Sequence, residues 1–221
     1  MLLKQQKLLD IVAILKKKYK VTGCELIYKE DYELMVAGRL SARCRDERVN
    51  VVTSKLFACY STLHAFVKAD FAVLEKIIRP CGLSNTKAKD IINACEMIEM
   101  KFNGRLPATI AELVLLPGVG RKTANLLLAE IFHKPAVICD VHCIKISFRV
   151  GVCDTKDPVK VEKSLKAMLP PEESAEFCHR LVKFGREVCK TRLPKCEICE
   201  LVEYCVFTKV KRNLKKVDNI G

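Results

Sequence analysis

The chain has 221 residues, half of them hydrophobic, and it carries a formal net charge of +13. At this length the apolar content is sufficient to bury a core, which excludes a largely disordered chain. No apolar run reaches the roughly 18 residues that span a bilayer, and the first residues lack the pattern of a cleavable signal, so we expect a cytoplasmic protein. The charge favours a polyanionic partner, although charge alone does not distinguish DNA, RNA and an anionic membrane from a merely solvated basic face.

Hydrophobic periodicity predicts helices along the whole chain, and no segment shows the sustained alternation of a strand. Caps, prolines and glycines set the predicted ends. The first predicted helix ends at the Thr22-Gly23 break, and the next five cover residues 32–40, 46–57, 71–78, 86–102 and 107–116. Four more follow: one that begins after residue 120, one capped by Asp140, one that starts at Asp157-Pro158, and one from the Pro170-Pro171 break to about residue 188. The chain is therefore predicted to be all-α, with a loosely ordered basic tail over residues 209–216 that would add weak, nonspecific affinity for nucleic acid.

The segment LPGVGRKTAN, residues 116–125, is the most informative one in the chain. Its hairpin joins two short helices, and Gly118 and Gly120 let backbone N–H groups approach an anion without obstruction by a Cβ atom. The free N–H groups and the dipole of the second helix favour negative charge at the same place. Lys122 lies in the first turn of that helix. The segment therefore predicts a phosphate-binding hairpin with an amine beside it.

Four of the thirteen cysteines follow the spacing C-x6-C-x2-C-x5-C: Cys189, Cys196, Cys199 and Cys205. Four thiolates within 17 residues suit an iron–sulfur cluster or a tetrahedral metal ion. Structural zinc sites usually use two C-x2-C motifs, whereas these four cysteines contain only one. We therefore favour the iron–sulfur cluster, with zinc as the alternative. The loop between the first two ligands carries three cations that would press on a phosphate backbone, Lys190, Arg192 and Lys195. The other nine cysteines are interpreted as small buried hydrophobes, among them Cys59, Cys95, Cys139 and Cys178.

The hairpin with its lysine, an aspartate 18 positions later at Asp140, and the cysteine spacing together resemble the endonuclease III family of bacterial DNA glycosylases. Further matching segments lie at residues 40–50, 81–92 and 139–151, so the resemblance covers nearly the whole chain. It implies an all-α, helix-hairpin-helix DNA glycosylase fold. Residues 23–134 would form a six-helix barrel domain, and residues 1–22 and 135–221 a discontinuous domain around a [4Fe–4S] cluster. Damaged double-stranded DNA would lie across the cleft between them.

The resemblance also implies base excision repair, in which oxidised pyrimidines are removed and the strand is cleaved by an AP lyase reaction. Lys122 would attack the anomeric carbon of a flipped-out nucleotide, displace the base and leave a Schiff base that undergoes β-elimination. Asp140 would accept the proton or stabilise the positive sugar. Taken singly, Lys122 is equally well explained as a phosphate contact and Asp140 as a helix cap, but the pair at the family's spacing favours catalysis. His142 is interpreted as a structural histidine.

Other positions match the family's DNA contacts. Leu83 matches a wedge that fills the space left by the extruded nucleotide, with an ordinary loop contact as the alternative. Asp46 matches an aspartate that lines the lesion pocket, with a helix cap as the alternative. Arg121 is assigned with the hairpin glycines to DNA binding.

Arg43 is the clearest departure, because the family typically has glutamine at this position, where it meets the estranged base. Arginine offers only hydrogen-bond donors and is always charged. We therefore expect either a preference for guanine opposite the lesion, through its O6 and N7 acceptors, or tighter phosphate binding in general.

Three other interpretations compete with this one. An adenine mismatch glycosylase of the same superfamily generally lacks the lysine and carries an extra C-terminal domain. A noncatalytic iron–sulfur DNA-binding protein, or one of altered specificity, is suggested by Arg43 and the many cysteines, but Lys122 and Asp140 argue against it. A soluble electron carrier needs neither the hairpin nor the charge.

For oligomeric state and location, the default expectation is a monomer associated with the nucleoid.

Overall fold

The computed structural model describes residues 2–208, and across them the chain is helical, with no β-strand. This part of the chain contains eleven α-helices joined by turns and short 3-10 helices. They are α1 (Leu2–Lys18), α2 (Asp31–Leu40), α3 (Asp46–Cys59), α4 (Leu63–Val67), α5 (Phe71–Ile78), α6 (Ser84–Lys101), α7 (Ile110–Leu113), α8 (Arg121–Glu130), α9 (Val141–Arg149), α10 (Pro158–Met168) and α11 (Ser174–Glu187). None of these helices is long and apolar enough to cross a membrane. The predicted basic tail, 209–216, lies outside the described residues.

The described chain divides into two compact units. The continuous unit is Cys24–Lys134, which holds α2 to α8. The discontinuous unit combines residues 2–23 with residues 135–208 and holds α1 and α9 to α11.

Helix α2 is the centre of the continuous unit. It packs on α3, α6 and α8, and its residues from Glu33 to Gly38 are all buried. A helix buried on all sides requires apolar residues all round, as the run Leu34-Met35-Val36-Ala37 supplies. At Gly38 an added Cβ would lie 2.9 Å from Cγ2 of Thr123 on α8. The glycine therefore lets α8, which carries Lys122, pack closely on the core.

Helix α11 organises the discontinuous unit by packing on both α1 and α9. Glu173, in the short 3-10 helix before α11, pairs with Lys16 of α1 and with Arg180 of α11. The Arg180 side chain is 5% exposed, and its Nε donates a hydrogen bond to the Tyr19 carbonyl at 3.2 Å. Polar contacts therefore join α1 to α11 although the two helices lie far apart in sequence.

The all-α prediction is confirmed, and several predicted starts agree with the structure, including α5 at Phe71 and α10 at Pro158. The predicted helix over 107–116 is wrong in its extent. Thr109 caps α7, its Oγ1 accepting the Glu112 N–H at 3.3 Å, and only Ile110–Leu113 is helical before the chain turns towards the hairpin. Sequence analysis missed α4, because five residues are too few to show a helical period.

Candidate active site and nucleic-acid interface

The hairpin before α8 is a tight turn closed by a hydrogen bond from the Val119 N–H to the Leu116 carbonyl, at 3.0 Å. Pro117 and Gly118 occupy the two central positions, and Gly118 has a φ of +75°, as the second central residue of a type II turn requires. A Cβ at Gly118 would lie 2.5 Å from Cδ and Nε of Arg39. Gly118 is therefore required both by its backbone conformation and by the arginine packed against it.

Arg39 is itself fixed by an ion pair inside the continuous unit. Its Nε donates to Oδ2 of Asp90 at 2.7 Å, and its Nη2 lies 2.6 Å from the same oxygen. Both side chains are largely buried. The hairpin thus rests on a charged pair that joins α2 to α6, which holds the entrance to α8 in one place.

Gly120 differs from Gly118. It has an ordinary φ of −85° and occupies the N-cap position of α8 without a side-chain cap, and an added Cβ would meet no atom of residues 2–208 within 4 Å. The packing of the fold does not require glycine at this position. An anion that approached the first N–H groups of α8 would require it, because a side chain there would obstruct the approach.

Lys122 and Arg121 are both exposed in the first turn of α8. The half-buried thiol of Cys24 has its pKa raised to about 12, chiefly by burial and also by Glu130 and Asp46, whereas a hydrogen bond to the Leu26 backbone and the charge of Lys122 lower it. Two carboxylates and the predicted nucleophile therefore act electrostatically on one thiol. No spacing pattern in the sequence marks Cys24 or Glu130, so sequence analysis missed both.

Asp46 is one of the carboxylates that raise the pKa of the Cys24 thiol. Its alternative interpretation as a helix cap is wrong, because Asp46 is the first residue inside α3 and Arg45 holds the N-cap position. A carboxylate in the first turn still interacts favourably with the helix dipole.

Arg43 and Leu83 share an unusual backbone. Arg43 has a φ of +57° and Leu83 a φ of +52°, both in the left-handed region that costs a non-glycine residue about 1–2 kcal/mol. Both side chains are exposed, and the Leu83 side chain, at 56%, is not an ordinary buried loop contact. Strained residues that present their side chains to solvent are typical of binding sites.

Asp140 is the N-cap of α9, and its Oδ1 accepts the Cys143 N–H at 2.7 Å. The cap interpretation is therefore confirmed, but it uses only one carboxylate oxygen. Among residues 2–208 no hydrogen bond is found to Oδ2. Two residues on, His142 packs against Gly185 of α11, where an added Cβ would collide with the imidazole ring. Asp140 belongs to the discontinuous unit and Lys122 to the continuous one.

The four spaced cysteines line one small cavity in the discontinuous unit: Cys189, Cys196, Cys199 and Cys205. All four are half-buried. Burial, and after it the other three thiols, raise the pKa of the Cys199 thiol to about 11, although a hydrogen bond to the Leu201 backbone lowers it. Within residues 2–208 no three His, Cys, Asp or Glu side chains form a group that could hold a single metal ion.

Arg149 holds the cation-bearing loop against this cavity, a role that sequence analysis missed. Its Nη1 donates to the Cys189 Sγ at 3.3 Å and to the Lys190 carbonyl at 2.9 Å. The three loop cations are exposed: Lys190, Arg192 and Lys195.

Of the remaining cysteines, Cys95, Cys139 and Cys178 are buried as predicted, whereas the prediction is wrong for Cys59, which is exposed at the end of α3.

This arrangement of helices and hairpin has known counterparts. Residues 36–171 match the family model of the HhH-GPD superfamily base excision DNA repair protein, which defines the class. An endonuclease III from Synechocystis is 39% identical over 203 residues, which cover 91% of this chain and 93% of that protein.

Two solved structures extend the match to three dimensions. They are a non-covalent endonuclease III–DNA complex and a trapped endonuclease III–DNA covalent intermediate with an estranged adenine. Each aligns with a TM-score of 0.90 at 37% identity, covering 98% of its own chain and 95% and 94% of this one, respectively. The chain belongs to the endonuclease III family.

Proposed function

We propose that this protein is a bifunctional base-excision-repair enzyme, a DNA N-glycosylase with AP lyase activity that acts on oxidised pyrimidines in damaged double-stranded DNA. The observation that carries the proposal is the exposed Lys122 in the first turn of α8, directly after a hairpin held by Gly118. An amine at that place can reach a sugar whose phosphate is held by the backbone N–H groups.

In the proposed reaction, the neutral Lys122 amine attacks C1′ of the extruded nucleotide, and the C1′–N bond to the base breaks. The base leaves with its electron pair and takes up a proton. The C1′–Nζ bond becomes an imine as the sugar ring opens, and loss of the C2′ proton then breaks the C3′–O bond. Asp140 is assigned to the proton transfers and to the positive charge on the sugar, and its second carboxylate oxygen leaves it able to do so while Oδ1 caps α9.

The DNA contacts follow from exposure and charge. Gly118, Gly120 and Arg121 would grip a phosphate at the start of α8, and Lys190, Arg192 and Lys195 would contact the backbone from their loop. Leu83 would enter the stack as a wedge, Arg43 would meet the estranged base, and Asp46 would line the lesion pocket. The enzyme would act as a monomer associated with the nucleoid in the cytoplasm, without a membrane partner.

The [4Fe–4S] cluster belongs to the same proposal. Its ligands would be Cys189, Cys196, Cys199 and Cys205, which share one cavity and contain only one C-x2-C pair. When bound, the cluster would supply a fold-stabilising crosslink that fixes the three loop cations. Iron and acid-labile sulfide analysis of the purified protein tests this, and stoichiometric zinc without iron would contradict it.

The function is tested with duplex DNA that carries one oxidised pyrimidine. Wild type is expected to release the base and to cut the strand, whereas Lys122→Gln does neither, and Asp140→Asn slows both by about 100-fold or more. Binding without base release or cleavage by the wild type would overturn the proposal and favour a noncatalytic iron–sulfur DNA-binding protein.

A further inference from the structure

Lys87, on α6, is the most deeply buried lysine among residues 2–208. It is 0% exposed, although Thr86 and Lys89 beside it are exposed. Its Nζ donates to the Leu40 carbonyl at 2.8 Å and to the Cys81 carbonyl at 2.9 Å. Burial of an ammonium group is costly unless such partners are present, so this group is held in one position.

The two acceptors lie at the bases of the two strained tips. Leu40 ends α2 three residues before Arg43, and Cys81 ends a short 3-10 helix two residues before Leu83. The Lys87 backbone N–H also donates to the Leu83 carbonyl, at 3.0 Å. One lysine therefore contacts both the segment that carries Arg43 and the segment that carries Leu83.

The other backbone hydrogen bonds described near the two tips stay within each segment. Cys44 N–H donates to the Ser41 carbonyl in one, and Gly82 N–H donates to the Arg79 carbonyl in the other, both at 3.0 Å. A hydrogen bond between the Cys44 and Cys81 side chains also crosses from one segment to the other, but a thiol is a weak donor and acceptor. An apolar side chain would fill the space of Lys87 without the cost of burying charge, yet it would not join the two carbonyls.

We propose that Lys87 is a positioning residue that fixes the Arg43 and Leu83 tips relative to each other, so that both enter the duplex together. The inference rests on the proposed function, in which these two side chains occupy the DNA stack. It assigns Lys87 no contact with DNA. Without the lysine, weaker contacts would hold the tips together less firmly, and duplex insertion would suffer while the chemistry at Lys122 would not.

The test compares Lys87→Met with Lys89→Met, a matched control on the exposed face of the same helix. Two substrates are used: a duplex with an oxidised pyrimidine, and single-stranded DNA with an abasic site, where no partner strand has to be displaced. Lys87→Met is expected to lose about tenfold or more in kcat/KM on the duplex, but to stay within about twofold of wild type in borohydride trapping on the single strand. Lys89→Met is expected to resemble wild type on both.

Hydrogen exchange supplies a readout that does not depend on activity. In Lys87→Met, amides of residues 41–45 and 81–84 are expected to exchange faster, while those of α2 and α8 keep their protection. If Lys87→Met does not fold, Lys87→Gln, which keeps a donor but is too short to reach both carbonyls, takes its place. Equal losses on both substrates, or exchange unchanged in the two tips, would overturn the inference. A wild type inactive on both substrates would instead overturn the proposed function, and the exchange experiment would still test the link.

Discussion

At the scale of single residues, the two glycines of the hairpin have different roles. Gly118 is required by the fold, whereas Gly120 is available to a ligand. Gly118 has a positive φ and contacts Arg39, whereas Gly120 has an ordinary backbone and open space beside it. The sequence motif treats the two alike. The backbone conformation and the packing of Arg39 against the turn distinguish them, and no sequence spacing indicated the Arg39–Asp90 pair.

Alanine substitutions test this distinction. Gly118→Ala is expected to lower the free energy of unfolding by about 2–4 kcal/mol, because it combines left-handed strain with a collision against Arg39. Gly120→Ala is expected to change it by less than about 1 kcal/mol while weakening DNA binding, since the new methyl group meets the phosphate. Denaturant titration and DNA-binding isotherms measure both effects. Equal stability losses in the two variants would contradict the assignment.

Arg43 tests specificity at the same scale. With its exposed side chain on a strained tip, it is expected to favour excision opposite guanine over the other three bases, because its guanidinium donates to O6 and N7. Arg43→Gln should reduce that preference. The measurement is single-turnover excision from four duplexes that differ only in the opposite base. Equal rates opposite all four bases, unchanged in the variant, would leave general phosphate binding as the role of Arg43.

At the scale of secondary-structure elements, local signals located most helices but not their internal contacts. Asp157-Pro158 predicted α10 because an N-cap and a first-turn proline act through their own backbone. Arg43 and Leu83 could be matched to a family, yet their left-handed backbones could not be predicted, because residues with a Cβ rarely adopt them. Buried Lys87 was missed because its burial depends on tertiary packing, including a hydrogen bond to the Leu40 carbonyl, 47 residues away.

The contact between α1 and α11 makes a prediction about pH. The hydrogen bond from Lys16, together with Arg180, holds the pKa of Glu173 below its ordinary value of 4.5. A carboxyl group whose pKa is lowered on folding stabilises the protein above its unfolded pKa, and this stability is lost as the pH falls through the folded value. Glu173→Gln should therefore cost about 1–2 kcal/mol at pH 7 and progressively less below pH ~4.5.

Glu172→Gln is the matched control for this change, since Glu172 is the exposed neighbour of Glu173. Urea unfolding of the three proteins between neutral and acidic pH gives the differences. A penalty for Glu173→Gln that persists unchanged well below the ordinary carboxyl pKa would refute the ion-pair explanation.

At the scale of the whole molecule, the residues of the proposed reaction are found in both units. Lys122 belongs to the continuous unit, and Asp140 and the cysteine cavity belong to the discontinuous one. The sequence could predict the reaction class because these residues keep recognisable spacings along the chain. It could not predict the hydrogen bond from Arg149 to the cation loop, or the effect of Lys122 on the pKa of Cys24, because both depend on tertiary packing.

The most direct test of the central claim is borohydride trapping on duplex DNA with one oxidised pyrimidine, followed by peptide mapping of the crosslink. Wild type is expected to form a single covalent protein–DNA complex, with the reduced bond at Nζ of Lys122, and Lys122→Ala is expected to form none. An undamaged duplex controls for nonspecific crosslinking. A complex that persists in Lys122→Ala, or that maps to another residue, would contradict the assignment of Lys122 as the nucleophile.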